Sequence, residues 1–430
     1  MVQEIKIKNF LSFRDETTLS FIASNDKFAE GSQVVVVGGS TRLLRLGIIY
    51  GYNASGKTNL LVAIDFLTSF ITRMPESSDD GTNVACFRLD NDSVNQPTCF
   101  DIVFWQEDIK YRYQLKLTAQ HVEFEKLSYY KSNQPIMLFE RTFNNGQSEI
   151  VFNNQNGDKV SSTAKEKITV ECLKNMSVFV AIGKVNVNLP FIDTAKNNLR
   201  EQIMGLVQPQ TDLTRYAQVL TAKENNITEH LIEFLKQADF NITGLSTKLI
   251  NKNLPDNFIN ILLADDQLPT NERQRLQNDR SYKSPQTIFL HTVQNEAGEQ
   301  TYSLALSDES LGTIKTFGIE TAIYQAINKS ALLTIDEIEN SLHPKLLELM
   351  LFKFLESESR SQLLLSTHND GFFDLIGDLF RRDSFWFVEK DRSGNSNLYK
   401  LTDFRGVNRL SSVREAYRNK RFGATLGHEK

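Results

Sequence analysis

A short loop between a strand-like run and a helix-like run has the residue types needed to hold phosphate. It is GYNASGKT, residues 51–58, preceded by LGIIY and followed by NLLVAIDFLTSFI. Gly51 and Gly56 allow the backbone to turn and to point N–H groups at phosphate oxygens. Lys57 can reach the terminal phosphates, and the hydroxyl of Thr58 can bind magnesium. We therefore predict a nucleotide site made of Gly51, Asn53, Ala54, Ser55, Gly56, Lys57, Thr58 and Asn59.

A pair of carboxylates far along the chain could serve the same nucleotide. The segment ALLTIDEIENSLHP, residues 331–344, reads as an apolar strand that ends at Asp336 and Glu337. Asp336 would join Thr58 in binding magnesium, and Glu337 would accept a proton from the attacking water. An apolar run ending in Asp-Glu is also typical of an ordinary strand entering a turn, so the assignment depends on the surrounding segments.

Two further segments flank these carboxylates. Residues 310–313, SLGT, precede a helix-like run, and a serine and a glycine at a helix N-terminus form an anion site. Because Lys57 already marks one anion site, a second one indicates that two subunits share one nucleotide. Downstream, SQLLLSTHND places His368 at the end of a buried strand, where the imidazole could reach a γ-phosphate. A histidine there can equally be a strand-end residue without a chemical role.

Strands and helices must position these segments. From Val2 to about residue 153 the chain reads mostly as strands, and KYRYQLKL, residues 110–117, alternates apolar and polar side chains. Such alternation predicts antiparallel strands with one buried face. Apolar residues at helical spacing over residues 191–240 predict a helical insert, which is too short and irregular for a long coiled coil.

The composition is typical of a globular cytoplasmic protein. The chain has 430 residues, 40% of them hydrophobic, and its net charge of −5 gives no global positive field for a polyanion. Cys86, Cys99 and Cys172 lack CxxC spacing, which favours free thiols over a disulfide framework or a zinc site. MVQEIKIKNF lacks the apolar core of a signal peptide, and no run of about 18 apolar residues occurs, so we expect a soluble protein without a membrane partner.

The order and spacing of the segments resemble the ABC-type ATPase heads of the SMC, RecF and OLD proteins. Lys57 lies 279 residues before Asp336, whereas the serine-glycine helix, the Asp-Glu strand and the Thr-His strand follow one another within about 60 residues. The matching segments are Walker A at residues 51–58, the signature at Ser310, Leu311, Gly312 and Thr313, Walker B at Asp336 and Glu337, the D-loop at residues 339–343 and the switch histidine at His368.

In these proteins two heads sandwich two ATP molecules, each held by the phosphate loop of one subunit and the signature of the other. The resemblance therefore implies an ATPase that binds ATP and Mg²⁺ and assembles as a homodimer or higher homo-oligomer through its heads. It also implies that Glu337 and His368 are catalytic and that Thr58 and Asp336 bind the metal.

The same resemblance implies a fold and its division. We expect an α/β, ABC-type ATPase head with an antiparallel β subdomain, a P-loop α/β core and a helical insert, without a long coiled coil. The expected parts are a first ATPase lobe at residues 1–153, the helical insert at residues 154–250, and a second lobe with a C-terminal element at residues 251–430.

More narrowly, the sequence is similar to the RloA-like branch of bacterial ABC ATPases, which includes the ATPase subunit of PARIS-type phage defence. The cues are SDESLGT, DEIENSLHP, STHND, FWFVEKD and AYRNKRFGAT. Only 62 residues follow His368, too few for the nuclease domain of OLD-type relatives. We therefore expect a nucleotide-driven switch whose effector, a nuclease or another toxin, is a separate protein.

Two other classes of function remain open. A RecF-like DNA-repair ATPase would need a DNA-binding surface, for which the basic residues are Arg409, Arg414, Arg418, Lys420 and Arg421. The same residues can also be a solvated helix face, so nucleic-acid binding is an open expectation. A transporter ATPase is disfavoured by the antiparallel strands of residues 1–153 and by the single-glycine signature.

Overall fold

A computed structural model of the protein describes residues 1–155, 157–238, 241–253 and 281–425, with residues 255, 259, 263, 273 and 274 between the last two ranges. The chain forms two compact units. Unit 1 comprises Met1–Pro209, Gln325–Asn340 and Met350–Lys430, and unit 2 comprises Gln210–Tyr324 and Ser341–Leu349.

The strands follow one another along both units. In chain order they are β1 (Val2–Lys8), β2 (Thr17–Ser20), β3 (Val34–Val37), β4 (Thr41–Leu44), β5 (Leu46–Tyr50), β6 (Thr98–Gln106), β7 (Ile109–Leu117), β8 (Val122–Tyr130), β9 (Pro135–Asn144), β10 (Gln147–Phe152), β11 (Ile242–Asn253), β12 (Ser281–Asn295), β13 (Gly298–Ala305), β14 (Leu332–Ile335), β15 (Gln362–Ser366), β16 (Phe385–Lys390) and β17 (Ser396–Lys400).

The α-helices of at least four residues in the described part of the chain are short to medium in length. They are α1 (Glu30–Gln33), α2 (Lys57–Phe70), α3 (Ser162–Glu171), α4 (Val178–Ile182), α5 (Pro190–Glu201), α6 (Thr214–Thr221), α7 (Asn225–Gln237), α8 (Leu311–Lys329), α9 (Pro344–Glu356) and α10 (Val413–Arg418). The longest of these has 19 residues, so no long coiled coil occurs within the described ranges.

A seven-stranded antiparallel sheet makes up much of the first part of unit 1. Its strand order is β10, β9, β8, β7, β6, β1 and β2. In β7 the apolar side chains Tyr111, Tyr113 and Leu115 are buried, while Arg112 and Gln114 between them are half-buried. Tyr113 lies opposite Ile102 of β6 and Leu127 of β8. The antiparallel subdomain expected from this alternation is confirmed.

A five-stranded sheet in unit 1 carries the segments predicted to bind nucleotide. Its order is β14, β15, β5, β16 and β17, of which the first four are parallel and the last is antiparallel. β14, β15 and β5 are buried along their whole length, as expected for a parallel sheet covered on both faces. Their carboxyl ends share one edge of the sheet, and residues 51–58, 336–339 and 366–368 follow at that edge.

One apolar core connects the two sheets of unit 1. Leu61 and Ile64 of α2 belong to the same buried cluster as Phe100 of the antiparallel sheet and Leu364 of the parallel sheet. Helices α3 to α5 add buried side chains to it, including Phe179. The helix after the phosphate loop is therefore anchored along its apolar face, which limits the positions that its first residues can take.

Unit 2 has a smaller core of its own. β11, β12 and β13 form a three-stranded antiparallel sheet, and helices α6 and α7 contribute to the core beside it. The buried cluster includes Leu231 and Leu235 of α7, Phe289 of β12 and Phe317 of α8. The rings of Phe289 and Phe317 meet edge to face, with centroids 5.7 Å apart.

The compact units do not begin and end at the expected lobe boundaries near residues 153 and 250. Within the expected insert, residues 154–209 belong to unit 1 because α3 to α5 pack into its core. The remainder belongs to unit 2, and β11 begins at Ile242 inside that segment. The division into two lobes and an insert remains a prediction about ATPase organisation. The mixed α/β fold class is confirmed.

Candidate functional site

The loop between β5 and α2, residues 51–56, makes a turn that depends on glycine. A Cβ atom on Gly51 would lie 2.5 Å from the carbonyl oxygen of Val388. Gly56 has a φ of +117°, which side-chain-bearing residues rarely adopt, and a Cβ there would lie 2.8 Å from Ser12 Oγ. The loop therefore runs too close to its surroundings for larger residues at these two positions, and it leads directly into the helix N-terminus.

Lys57 is held over this loop. Its side chain is buried, and Nζ donates to the carbonyl oxygen of Gly51 at 2.8 Å and lies 3.4 Å from that of Tyr52. Burial lowers the pKa of Lys57, while Asp336 and nearby glutamates oppose that effect. The ammonium group is therefore partly desolvated and close to backbone carbonyls, a position from which it can reach a phosphate oxygen.

His368 accepts from the same ammonium group. Lys57 Nζ lies 3.1 Å from His368 Nε2. Burial, and then the Lys57 charge, lower the pKa of His368, so the imidazole is neutral at pH 7 and Nε2 can act as the acceptor. The structure thus brings together a lysine and a histidine that are 311 residues apart in the chain.

Thr58 and Asp336 meet at the edge where β5 and β14 end. Thr58 Oγ1 donates to Asp336 Oδ2 at 2.7 Å, and Ser366 Oγ donates to the other oxygen of the same carboxylate. A hydroxyl oxygen and a carboxylate oxygen at adjacent positions are the hard donors that Mg²⁺ prefers. The two residues predicted to bind the metal are therefore neighbours with a suitable donor set.

Glu337 has an unusual backbone and a partly exposed side chain. Its φ is 47°, and its backbone N–H donates to Ser366 Oγ at 2.8 Å. The side chain is 43% exposed, and Oε1 lies 4.0 Å from His368 Nε2. A carboxylate in this position has access to water while standing beside the histidine, which is the arrangement that a general base requires.

Glu339 joins the ends of β14 and β15. Its Oε2 accepts from Thr367 Oγ1 at 2.8 Å, and its Oε1 accepts from the backbone N–H of His368. From the sequence, Glu339 is expected in the D-loop, without a chemical role of its own. The structure makes it the carboxylate that orients the segment carrying His368.

Hydroxyl groups from segments distant in the chain form hydrogen bonds with the phosphate loop and the start of α2. Ser396 Oγ donates to the carbonyl oxygen of Ser55 at 2.6 Å and lies 2.8 Å from Ser12 Oγ. Asn59 Nδ2 donates to Ser12 Oγ at 2.8 Å. Sequence reasoning missed Ser12 and Ser396, because an isolated serine carries no motif. Of the other predicted loop residues, Asn53 and Ala54 are exposed.

The predicted signature begins α8 in unit 2. Ser310 Oγ accepts from the backbone N–H of Thr313 at 3.1 Å, which caps the helix. Leu311 is 60% exposed, and Gly312 is half-buried. Just before the signature, His291 Nε2 lies 2.7 Å from an oxygen of Glu309. The segment is therefore an ordered helix start with an exposed apolar side chain.

The five basic residues near the C-terminus do not all remain available for a polyanion. Arg414 pairs with Asp370 and Asp374 at 2.8 and 2.6 Å, and Arg418 pairs with Asp370. Two of the five cations are thus paired inside unit 1, which weakens the expectation of one continuous DNA-binding surface.

The cysteines and the helices bear on two expectations from the sequence, free thiols and no membrane-spanning segment. Cys86, Cys99 and Cys172 are free thiols, and burial raises the pKa of Cys172 to about 11. Among the helices that the structure describes, none combines the length and the apolar character needed to cross a membrane.

The sheet edge and its residues define a P-loop ATPase. A strand, a glycine loop and a helix place Lys57 and Thr58 beside an acidic strand end, as in proteins that bind ATP. Residues 48–169 and 211–374 match the family described as "AAA domain, putative AbiEii toxin, Type IV TA system". The chain belongs to this family and is an ATP-binding ATPase.

Solved structures of SMC heads match most of the chain at low sequence identity. The SMC head domain from Thermotoga maritima is 13% identical, with 93% of this chain and 98% of that chain covered and a TM-score of 0.40. An SmcHead bound to the C-winged helix domain of ScpA is 15% identical, with 97% and 99% covered and a TM-score of 0.44.

A third solved structure is an Smc head domain with an extended coiled coil, bound to the C-terminal domain of ScpA derived from Pyrococcus furiosus. It is 13% identical, with 98% of each chain covered and a TM-score of 0.37. No curated protein matches the chain.

Proposed function

We propose that this protein is a Mg-ATP-hydrolysing molecular switch whose active site is completed by the signature of a second copy. The observation that carries the proposal is the meeting of Lys57, Thr58, Asp336, Glu337 and His368 at one edge of the parallel sheet. Lys57 and Asp336, which are 279 residues apart in the chain, converge there, and each of the five side chains has a chemical use in phosphoryl transfer to water.

Binding of ATP depends on the loop and on Lys57. The N–H groups at the start of α2 have no partner within the helix and face anions favourably. Lys57 adds a full positive charge, which is more effective in a partly buried site than in water. Thr58 and Asp336 would hold Mg²⁺, which when bound neutralises charge on the phosphates.

Hydrolysis depends on Glu337 and His368. Glu337 takes the proton from the attacking water, because its carboxylate is partly exposed and lies 4.0 Å from His368 Nε2, which leaves it accessible to water. His368, neutral and 3.1 Å from Lys57 Nζ, is placed to hydrogen-bond the terminal phosphate region. Glu339 fixes the backbone of His368 and so keeps the imidazole at this distance.

The second half of the site would come from a partner copy. Ser310 caps its own helix, and Leu311 beside it is 60% exposed, so the start of this helix is accessible to another copy. We infer that residues 310–313 of one copy contact the nucleotide held by the phosphate loop of the other. The protein would then be a homodimer or higher homo-oligomer in which ATP acts as a removable link.

The biological role that best fits this switch is that of a cytoplasmic ATPase subunit in bacterial defence against phage. The motifs SDESLGT, DEIENSLHP and STHND support the narrower resemblance to the RloA-like branch. The family description, which names a toxin of a type IV toxin–antitoxin system, fits a module of this kind. A separate nuclease or toxin would be the effector under its control, and stoichiometric co-purification from the native host would identify it.

The decisive experiment for the ATPase mechanism is Glu337→Gln. Glutamine keeps the shape but removes the basic carboxylate, so turnover should fall by roughly 10²- to 10⁴-fold while ATP still binds. Light scattering should show an ATP-dependent gain in mass that ADP does not produce. Turnover at the wild-type rate would place the base elsewhere, with His368 the first residue to examine.

Asp336→Asn is the matched variant, because it changes the neighbouring carboxylate in the same way. It should lose magnesium-dependent nucleotide binding itself, since Asp336 acts before the chemical step. If Glu337→Gln stops turnover without any gain in mass, Glu337 stands as the base and the ATP-linked assembly is rejected, unless wild type is already a permanent oligomer.

A further inference from the structure

A cavity of about 900 Å³ lies in unit 1, and none of its lining residues is among those assigned to ATP. Arg382, Arg405 and Arg409 line it, together with Ser24, Thr402 and Asp26. We call it the arginine cavity. Its size is in the range of sites that bind small molecules of nucleotide size, roughly 300 to 1,000 Å³.

The three arginines have no ion pair with any carboxylate among the described residues. The neighbouring Arg381 takes the nearest buried carboxylate, since its guanidinium pairs with Asp383 at 2.8 Å. Arg382, the next residue, is half-buried, and its Nε is fully buried without a hydrogen-bond partner in the described structure. A buried guanidinium N–H without a partner is costly. What Arg382 brings to the lining is a positive charge that no described carboxylate pairs with.

The carboxylate in the lining does not cancel these charges. Asp26 Oδ1 accepts from the backbone N–H of Phe28 at 3.0 Å, within its own turn. Three arginines against this one carboxylate leave the lining with an excess of positive charge. Guanidinium groups bind phosphate oxygens through two parallel hydrogen bonds, which makes arginine well suited to phosphate recognition.

The local backbone brings the arginines to one place. Gly406 has a φ of +77°, and it separates a turn at Leu401–Asp403 from another at Val407–Arg409. Gly406 supplies a left-handed conformation between the two turns, which residues with a side chain rarely adopt. The lining is therefore formed by a folded segment and does not depend on one extended loop.

The arginine cavity is distinct from the phosphate-loop site. Arg382 begins the short turn Arg382–Ser384 that precedes β16, and β16 runs parallel to β5, with Phe385 opposite Ile48. Arg382 therefore lies at the amino-terminal edge of the parallel sheet, whereas residues 51–56 follow the carboxyl end of β5. A ligand in the cavity would not occupy the ATP site.

We propose that the arginine cavity binds the phosphate groups of a nucleotide, either free or within a single-stranded nucleic acid. The inference does not rest on the proposed ATPase mechanism. Binding of a strand should weaken steeply with salt, since neutralising its phosphates releases condensed counterions.

The test uses the full chain and two probes. The first is a fluorescein-labelled oligothymidylate of ten nucleotides, followed by fluorescence anisotropy at low salt. The second is thymidine diphosphate, measured by equilibrium dialysis. For this probe every protein also carries Lys57→Ala, which prevents the phosphate loop from binding the nucleotide. The double variant Arg382→Ala/Arg409→Ala should bind at least tenfold more weakly, and the matched control Arg215→Ala, an exposed arginine of α6, should change binding less than twofold.

The outcomes separate the two sources of phosphate. Loss of oligothymidylate binding in the double variant supports a strand, and loss of thymidine diphosphate binding alone supports a free nucleotide. The proposal is overturned if neither probe binds, at millimolar concentration, the protein in which Arg382 and Arg409 are intact. It is also overturned if the double variant binds the probes as tightly as that protein, or if Arg215→Ala weakens binding as much as the double variant does. An unchanged melting temperature shows that the cavity variant is folded in both backgrounds, and unchanged Mg-ATP affinity adds to this where Lys57 is intact.

Discussion

The phosphate loop and the signature segment both lead into a helix, yet they differ in how far their side chains are buried and bonded within their own unit. Lys57, at the first position of α2, is 6% exposed and has partners in a backbone carbonyl and His368. Leu311, at the first position of α8, is 60% exposed, and the neighbouring polar contacts only cap its own helix.

If the signature acts on the nucleotide of a second copy, as proposed, this difference separates a site formed within one chain from a surface that needs a partner. The phosphate loop and Lys57 are contacted by three distant segments: His368 after β15, Ser396 of β17 and Ser12 after β1. Together these contacts position the ammonium group of Lys57. The side chains of Ser310 and Thr313 contact each other, within one helix turn. The predictions below test whether the loop binds ATP alone and whether the signature acts on the nucleotide of another copy.

The largest effect is expected for Lys57→Ala. Removing the charge leaves the phosphates facing only backbone dipoles, so Mg-ATP binding should fall below detection in isothermal titration calorimetry. Lys27→Ala, which changes a lysine that is 76% exposed, is the control and should bind ATP as wild type does. Retained micromolar affinity in a folded Lys57→Ala protein would falsify the phosphate-loop assignment.

The second prediction concerns Gly312→Ala, which tests the signature directly. A Cβ on Gly312 would meet Ser341 O at 3.4 Å and Ser310 Oγ at 3.7 Å, which are ordinary contacts, so unit 2 should fold normally. If the glycine approaches the nucleotide of another copy, turnover should drop by about 10- to 100-fold, equivalent to ~1.4 to 2.7 kcal/mol of transition-state stabilisation. ATP binding by the isolated chain should stay unchanged.

The control for that variant is Gly31→Ala, because a Cβ on Gly31 has no neighbour within 4 Å. It should leave turnover at the wild-type level. Normal turnover of Gly312→Ala, measured at a concentration where wild-type activity has saturated, would mean that the signature is merely a helix start.

A smaller effect is expected for Glu339→Gln. The amide keeps one oxygen acceptor but loses the second, so it cannot accept from both Thr367 and the N–H of His368. Turnover should decrease about tenfold, or ~1.4 kcal/mol, with little change in ATP affinity. Glu356→Gln, on a glutamate that is 53% exposed, should have no effect in the same assay. Equal losses in the two variants would reject a positioning role for Glu339.

The smallest effect is expected for Ser396→Ala, which removes the hydroxyl below the loop. The buried carbonyl of Ser55 then loses its donor, and unfolding by urea should become easier by about 1 to 3 kcal/mol. Mg-ATP affinity should weaken by less than about tenfold. The lost hydrogen bond contributes ~1 kcal/mol and does not involve Lys57, which stays in place. Ser393→Ala, an exposed serine, is the control. An unchanged urea midpoint would show that the hydroxyl network does not support the loop.

Several parts of the fold could be predicted because their physical causes are local. Alternation in KYRYQLKL follows from a strand with one buried face, and β7 is such a strand. The apolar runs before Gly51 and Asp336 are buried parallel strands, as their composition indicates. The boundaries of the compact units could not be predicted, because the packing of α3 to α5 into unit 1 depends on contacts with distant sheets.

The sequence by itself determined the residue types of the phosphate loop and of the acidic strand end. Glycines, a lysine and a threonine at short spacing are demanded by phosphate and magnesium chemistry, so residues 51–58 are recognisable without a structure. The tertiary structure alone decided how the site is supported. Ser12 and Ser396 are 384 residues apart and meet at 2.8 Å, and Glu339 holds the backbone of His368 from another strand end. Such contacts leave no local pattern, because strand pairing and burial bring the residues together while their spacing in the chain is arbitrary.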